Sequence, residues 1–208
     1  MGTERFDVVV LGGGNAGIAV TGPTRAAGMS VALVEDRDLG GTCPNRGCTP
    51  KKVLVAAGHA LHEIERANSH CISVSEPKLD WPALIAREKQ LIKGIPERLE
   101  VTLLNRGVDL IRGKGRFVSP TAVTVGDRLI EAQHIVIATG SRARALDLPG
   151  AEFLKTSDDL LSATELPDSI VSIGGGVISL EFAHRLRTSR CEGDHSGGAA
   201  AASSRARR

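Results

Sequence analysis

Two groups of residues in this chain have the types and spacing to do chemistry. The first is the run Gly40-Gly41-Thr42-Cys43-Pro44-Asn45-Arg46-Gly47-Cys48-Thr49-Pro50-Lys51-Lys52. Cysteines five positions apart do not share a face of a regular helix, but in a loop that feeds a helix N-terminus they can meet as a small disulfide ring. Partial positive charge at such a terminus, with Lys51 and Lys52 behind it, favours a thiolate. That setting suits reversible exchange better than a structural bridge. Zinc binding stays open as an alternative, yet it needs a second ligand pair, and Cys71 and Cys191 stand alone at unsuitable spacing. A pair of inert buried thiols is the other alternative.

The second group is Gly12-Gly13-Gly14-Asn15-Ala16-Gly17, a G-x-G-x-x-G run. Gly12 permits a tight turn, Gly14 lets backbone approach a pyrophosphate, and Gly17 lets a helix pack closely on a strand. The N-terminus of that helix offers free N–H groups to phosphate. Glu35 ends the strand-like run after that helix, where a carboxylate can accept hydrogen bonds from an adenosine ribose. Glycines serving only a tight turn are the plain alternative.

The elements needed to hold these groups are legible around them. Residues 6–11 (FDVVVL) read as a buried parallel strand, 16–27 as a helix and 31–35 (VALVE) as a second strand, a βαβ unit. Pro23 lies inside the helix, where it removes a backbone bond at a cost of about 3 kcal/mol. Residues 50–67 and 81–105 read as helices. Short strands follow at 108–112, 115–118, 122–125 and 129–131, then an apolar strand at 134–138. A short helix near 158–162, a third parallel-type strand at 170–173 and a helix at 177–187 complete the pattern.

Composition bounds the function. The chain has 208 residues, of which 41% are hydrophobic and 24% charged. Those proportions are expected of a globular protein. It has no Tyr and only 2% aromatic residues, which argues against stacking-based recognition of single-stranded nucleic acid. Six arginines in 185–208 stand against Glu192 and Asp194, a net +4, so an overall +2 leaves the rest at −2. A main body that is not basic gives no reason to expect a nucleic-acid partner. No apolar run reaches the ~18 residues of a spanning helix, and no signal peptide precedes the first strand, so the expectation is a cytoplasmic protein without a membrane partner.

The run GGTCPNRGCTPKK resembles the redox-disulfide signature of the class I pyridine nucleotide–disulfide oxidoreductases, the family of glutathione reductase, dihydrolipoamide dehydrogenase and mercuric reductase. The resemblance covers about residues 5–187. Ala138-Thr139-Gly140 is similar to the segment closing the family's flavin domain. Gly174-Gly175-Gly176-Val177-Ile178-Ser179-Leu180-Glu181 is similar to its second dinucleotide fingerprint, with Ser179 where a Gly or Ala is usual.

The resemblance implies an α/β fold. A Rossmann-like FAD-binding domain, a parallel sheet with a small β-meander, would occupy 1–150, and the start of a second Rossmann-like NAD(P)-binding domain 151–187. An aberrant, disordered tail is expected at 188–208, where large apolar residues are missing. Gly12, Gly14, Asn15, Ala16, Gly17 and Glu35 would hold the ADP half of FAD. Gly41, Thr42 and Cys43 would line the pyrophosphate and flavin, Gly115 would meet the adenine, and Thr139 and Gly140 would close the site. Gly174 and Gly176 would serve NAD(P)H, and Lys51 or Lys52 would pair with Glu181 near the flavin.

The relay implied by the resemblance passes hydride from NAD(P)H to FAD, opens a Cys43–Cys48 disulfide through Cys48, and exchanges Cys43 with an external disulfide. Pro50-Lys51-Lys52 leans toward the glutathione reductase type, making glutathione disulfide the first substrate expected. Relatives of this type are homodimers that supply a partner His–Glu pair. None of this chain's six histidines stands in a His-Pro-x-x-x-Glu context. The expectation is therefore a C-terminally truncated chain that is inactive alone.

Overall fold

A computed structural model describes residues 2–75, 77–167 and 169–188. In chain order the strands and helices begin with β1 (Thr3–Leu11), α1 (Asn15–Ala26), β2 (Val31–Glu35), α2 (Thr42–Arg46), α3 (Cys48–Arg66), α4 (Trp81–Ile92) and α5 (Ile95–Asn105). They continue with β3 (Asp109–Arg112), β4 (Gly115–Ser119), β5 (Ala122–Val125), β6 (Arg128–Ile137), α6 (Ser157–Leu160) and α7 (Val177–Thr188). The chain divides into two units, one of Met1–Thr49 and Ile92–Phe153, the other of Pro50–Leu91 and Leu154–Arg208.

The first unit is an α/β fold on one mixed sheet, in the order β3-β2-β1-β6-β5-β4. β1 pairs in parallel with β2 and β6, and β2 with β3, while β4, β5 and β6 form an antiparallel meander. Successive side chains of a strand point to opposite faces, and both faces of β1 are covered. Val8 and Val10 pack with Leu33, Leu39, Leu103 and Val108 on the side that α1 and α5 supply with Ile18, Val20 and Leu99. Val9 and Leu11 pack with Val34, Ile111, Val123, Val125 and Ile130 on the other. Val123 and Val125 belong to β5, which is not a sheet neighbour of β2 or β3, so the meander curls over this face and closes it. This double burial is why FDVVVL and VALVE read as unbroken apolar runs.

The short strands expected at 129–131 and 134–138 are one strand. β6 is held along its whole length by β1, from Thr3 opposite Leu129 to Leu11 opposite Ile137. β1 accordingly starts earlier than its apolar run, and the ion pairs Glu4–Arg128 at 2.7 Å and Arg5–Glu131 at 3.1 Å line the extension. The helix expected at 81–105 is two helices. Gly94 stands between them in the left-handed conformation, and Pro96 follows in the first turn of α5. A missing N–H costs nothing there.

The second unit is helical. Leu54, Trp81, Ile85, Leu161 and Phe182 form its core, and the Trp81 indole donates to the carbonyl of Ala163 at 2.9 Å. α6 opens with a capping box in which Thr156 and Asp159 satisfy each other's backbone groups. The strand expected at 170–173 is not formed. A parallel strand needs a ladder partner for its N–H and C=O groups. No described residue pairs with this segment, and Val171 is 78% exposed. Apart from Thr188, which ends α7, the tail expected at 188–208 lies outside the described residues, as do Cys191 and His195.

Candidate functional site

The parallel strands of the first unit all point their C-terminal ends at one edge of the sheet, the usual ligand edge of such sheets. Gly12 leaves β1 with φ 108°, and its N–H donates to Val34 at 2.8 Å. A Cβ on Gly12 would collide with the carbonyl of Ala138 and lie 3.1 Å from the Thr139 Cα, which places Thr139 beside the turn and Gly140 one residue further on. A Cβ on Gly17 would collide with the Gly12 carbonyl oxygen and lie 3.1 Å from a methyl of Val10. That is the close helix-to-strand approach read from the sequence. Asn15 and Ala16 lie exposed in the first turn of α1, which Gly14 precedes in extended backbone (φ −80°, ψ −174°).

Glu35, at the end of β2, folds its carboxylate back onto this turn. Its Oε2 accepts from the Gly13 N–H at 2.5 Å, and Oε1 from the Arg37 N–H at 2.7 Å. Gly115 packs over the same strand ends, since a Cβ there would come within 2.9 Å of Leu11 and 3.6 Å of Val34.

The cysteine run enters through a second glycine turn. Gly40 donates to the Gly13 carbonyl at 2.8 Å and forms a parallel bridge with Gly14. Gly41, at φ 64°, would place a Cβ 2.8 Å from the Gly14 Cα. Two backbones thus meet with no side chain between them. From Gly41 the chain makes the five-residue helix α2, carrying exposed Thr42 and partly exposed Cys43. It then breaks at Gly47 (φ −141°, ψ −110°), and Cys48 opens α3. A Cβ on Gly47 would lie 3.3 Å from the Cys43 Cα, so the backbone just before Cys48 returns against Cys43. The run is therefore helical turn, break and new helix instead of the open loop expected.

Three residues here escape the sequence reading. Gly13 is an unassigned position of the fingerprint, yet a Cβ there would meet Leu39 at 2.7 Å and Glu35 Oε2 at 3.1 Å. Gly40, with φ 95°, would meet Pro44 at 2.7 Å. Asn45 donates from Nδ2 to the carbonyls of Leu39 and Gly41, both at 2.9 Å. The unbroken Gly12-Gly13-Gly14 and Gly40-Gly41 runs carry a signal for the first two; Asn45 has none beyond its amide.

The second unit holds the remaining residues. Lys51 Nζ donates to Glu181 Oε2 at 2.6 Å, with the two side chains 29% and 38% exposed. Between the two lysines left open by the sequence, Lys51 makes this pair. Gly174 (φ 98°) and Gly176 precede α7, and among the described residues neither would meet any atom within 4 Å on gaining a Cβ. The second fingerprint thus has its turn and helix, without a strand in front of them.

Comparison with known proteins places this geometry. Residues 6–194 match the family described as pyridine nucleotide-disulphide oxidoreductase. The chain belongs to this family. It is 36% identical to dihydrolipoyl dehydrogenase of Chlamydia muridarum over 194 residues, which cover 89% of this chain and 41% of that protein. It is 37% identical to the chloroplastic/mitochondrial glutathione reductase of Pisum sativum over 189 residues, 86% of this chain and 34% of the relative. Dihydrolipoyl dehydrogenase of Acholeplasma laidlawii is 31% identical over 188 residues, 87% of this chain and 56% of that protein. The chain thus spans between about a third and somewhat over half the length of these three relatives.

The family uses FAD and NAD(P)H. The first unit fits a dinucleotide. The Gly14–Gly41 meeting leaves backbone exposed at a helix N-terminus, and Glu35 ends the neighbouring strand with its carboxylate fixed by two N–H donors. Among the described residues, no helix is long and apolar enough to cross a membrane.

Proposed function

We propose that this chain is the flavin-binding and thiol-exchange part of an enzyme that passes electrons between NAD(P)H and a small-molecule disulfide. The observation that carries the reading is the meeting of two glycine turns, one opening α1 and the other leading directly into Cys43. Gly12, Gly14, Asn15, Ala16, Gly17 and Glu35 would hold the ADP half of FAD, with Gly115 by the adenine. Gly41, Thr42, Thr139 and Gly140 would flank the remainder. Bound FAD would supply the hydride chemistry that no side chain provides.

The protein's own part is position and protons. Cys43, as thiolate, would attack an external disulfide to give a mixed disulfide and one free thiolate. Cys48 would then attack Cys43 Sγ, releasing the second thiolate and closing the ring. Cys48 opens the long helix α3, where the partial positive charge of the terminus favours its thiolate. Lys51, bonded to Glu181, would stand near the flavin, while Gly174 and Gly176 would belong to the NAD(P)H side. Cys43 and Cys48 as an exchanging pair suit a reducing compartment such as the cytoplasm.

Pro50-Lys51-Lys52 favours glutathione disulfide as substrate. A dihydrolipoamide-type substrate is the second reading, because dihydrolipoyl dehydrogenases match this chain as well as a glutathione reductase does. The full protein would act as a homodimer, and the 208-residue polypeptide should show only background turnover with NAD(P)H.

Purified chain, titrated with FAD, should quench flavin fluorescence and give a bound-flavin spectrum; no titration would sink the reading. Mass mapping after mild oxidation should find a Cys43–Cys48 link. The reduced pair should then be reoxidised faster by glutathione disulfide than by oxidised lipoamide, the reverse order selecting the second reading.

A further inference from the structure

We infer that Asn45 is a positioning residue that sets the equilibrium of the Cys43–Cys48 pair, an inference that rests on the thiol-exchange role proposed above. It stands between the two cysteines in the chain, and its amide grips the backbone that leads into them. Nδ2 donates to Leu39 O and Gly41 O at 2.9 Å each. Both acceptors are carbonyls, so only the amino end of the amide can face them. The two carbonyls belong to the stretch that touches the first glycine turn. Leu39 is fully buried, a Cβ on Gly13 would meet it at 2.7 Å, and the intervening Gly40 N–H bonds the Gly13 carbonyl.

One side chain therefore fixes residues 39–41 on one side and the turn carrying Cys43 on the other. Replacements are poor for identifiable reasons. An aspartate has no donor for the two carbonyls, and a glutamine is one methylene longer where a Cβ on Gly40 would already lie 3.4 Å from Nδ2. The Asp38–Arg46 ion pair at 2.6 Å closes the outer side of the same turn, but its carboxylate is 55% exposed. Its hold is correspondingly weaker.

The consequence is chemical as well as structural. Closing the ring joins Cys43 Sγ to Cys48 Sγ; the two thiols give up two protons and two electrons, and glutathione disulfide takes both to leave as two glutathione molecules. How readily the ring closes depends on how nearly the two sulfurs are already in place. Without the Asn45 bonds, residues 42–47 sample more conformations in the dithiol and ring closure becomes less favourable.

The test equilibrates the 208-residue chain and its Asn45→Ala variant in glutathione/glutathione disulfide buffers and measures the Cys43–Cys48 link by peptide mass spectrometry. The variant should need a buffer about tenfold more oxidising, which is about 30 mV for a two-electron couple. Asn45→Ser, which keeps a shorter donor, should recover part of this and shift the midpoint only about threefold; it carries the same readout if Asn45→Ala fails to fold. An Asn45 that only supports the fold would lower Tm and leave the midpoint unchanged at a temperature where circular dichroism shows both proteins folded. That result overturns the inference alone. A wild-type chain that forms no Cys43–Cys48 link in any buffer overturns the proposed function and this inference with it.

Discussion

The chain carries two glycine turns of similar sequence, each leading into a helix, and their surroundings differ. Gly12–Gly17 follows a strand bonded on both sides, and Gly12, Gly13 and Gly17 are pressed against carbonyls and methyl groups. Among the described residues, Gly174 and Gly176 follow a segment without a ladder, and no atom would stand within 4 Å of a Cβ on either. A glycine fingerprint is thus a statement about what the glycines must pass close to. Where the strand and its neighbours are in place, Gly12, Gly13 and Gly17 leave no room for a side chain; where they are not, the same letters carry little constraint.

The sharpest way to break this comparison is to add one methyl group at each turn. Gly17→Ala should destabilise the first unit by about 3 kcal/mol, because the new Cβ collides with backbone that cannot rotate away. Gly176→Ala should lie within about 0.5 kcal/mol of wild type. Urea unfolding followed by circular dichroism compares the two. Equal effects would show that the second turn is as confined as the first.

Carboxylates are held in two ways that give opposite responses to pH, and Asp159 of the second unit, bonded by the Thr156 N–H and hydroxyl, is lowered like those of the first. Hydrogen bonds and charge from Arg128 hold Glu4 below its usual range, and Ser30 does the same for Asp7 through its N–H and hydroxyl. Such groups stabilise the fold above the ordinary carboxylate range, and the contribution is lost as pH falls through their lowered pKa values. In the second unit Glu88 is 2% exposed with Oε2 unpartnered, and burial pushes its pKa up. A raised carboxyl pKa reverses the sign, so stability is lost as pH rises from the ordinary glutamate range through the raised value.

Trp81, the chain's one tryptophan, is buried in the second unit and reports on it by fluorescence. Its urea midpoint should rise as pH is lowered from neutrality toward the ordinary glutamate range before falling in stronger acid. Glu88→Gln should remove that rise and gain about 1 kcal/mol at neutral pH. A Glu88→Gln profile that matches wild type would show that burial does not raise the Glu88 pKa in the fold.

The same contrast explains what is legible in the sequence. FDVVVL, VALVE and HIVIA announce their strands because double burial selects unbroken apolar runs, and the first glycine turn can be placed from the strand before it. The segment at 170–173 reads as a strand by the same criterion, but a strand is a property of its partners as well as its letters, and none is present among the described residues. The helix break at Gly94 is visible as a glycine and a proline within three positions, and the apolar periodicity running across it outweighs them. The close return of Gly47 onto Cys43 and the two bonds of Asn45 depend on backbone path, which the intervening residues do not declare.

The smallest expected effect separates two adjacent lysines. Lys51 and Lys52 are chemically alike, and both stand in the first turn and a half of α3; helical rotation of about 100° per residue sends them in different directions. Lys51 reaches Glu181 at 2.6 Å, and both partners are partly exposed. A coupling of about 0.5 kcal/mol is the appropriate scale for such a pair. A double-mutant cycle of Lys51→Met and Glu181→Gln, read from the Trp81 urea midpoint, should return that coupling and shrink it at about 1 M salt as screening rises. The parallel cycle with Lys52→Met should return none. Coupling at Lys52 equal to that at Lys51 would mean that Glu181 responds to the positive charge of the whole helix start, and the assignment of the pair to one lysine would fall.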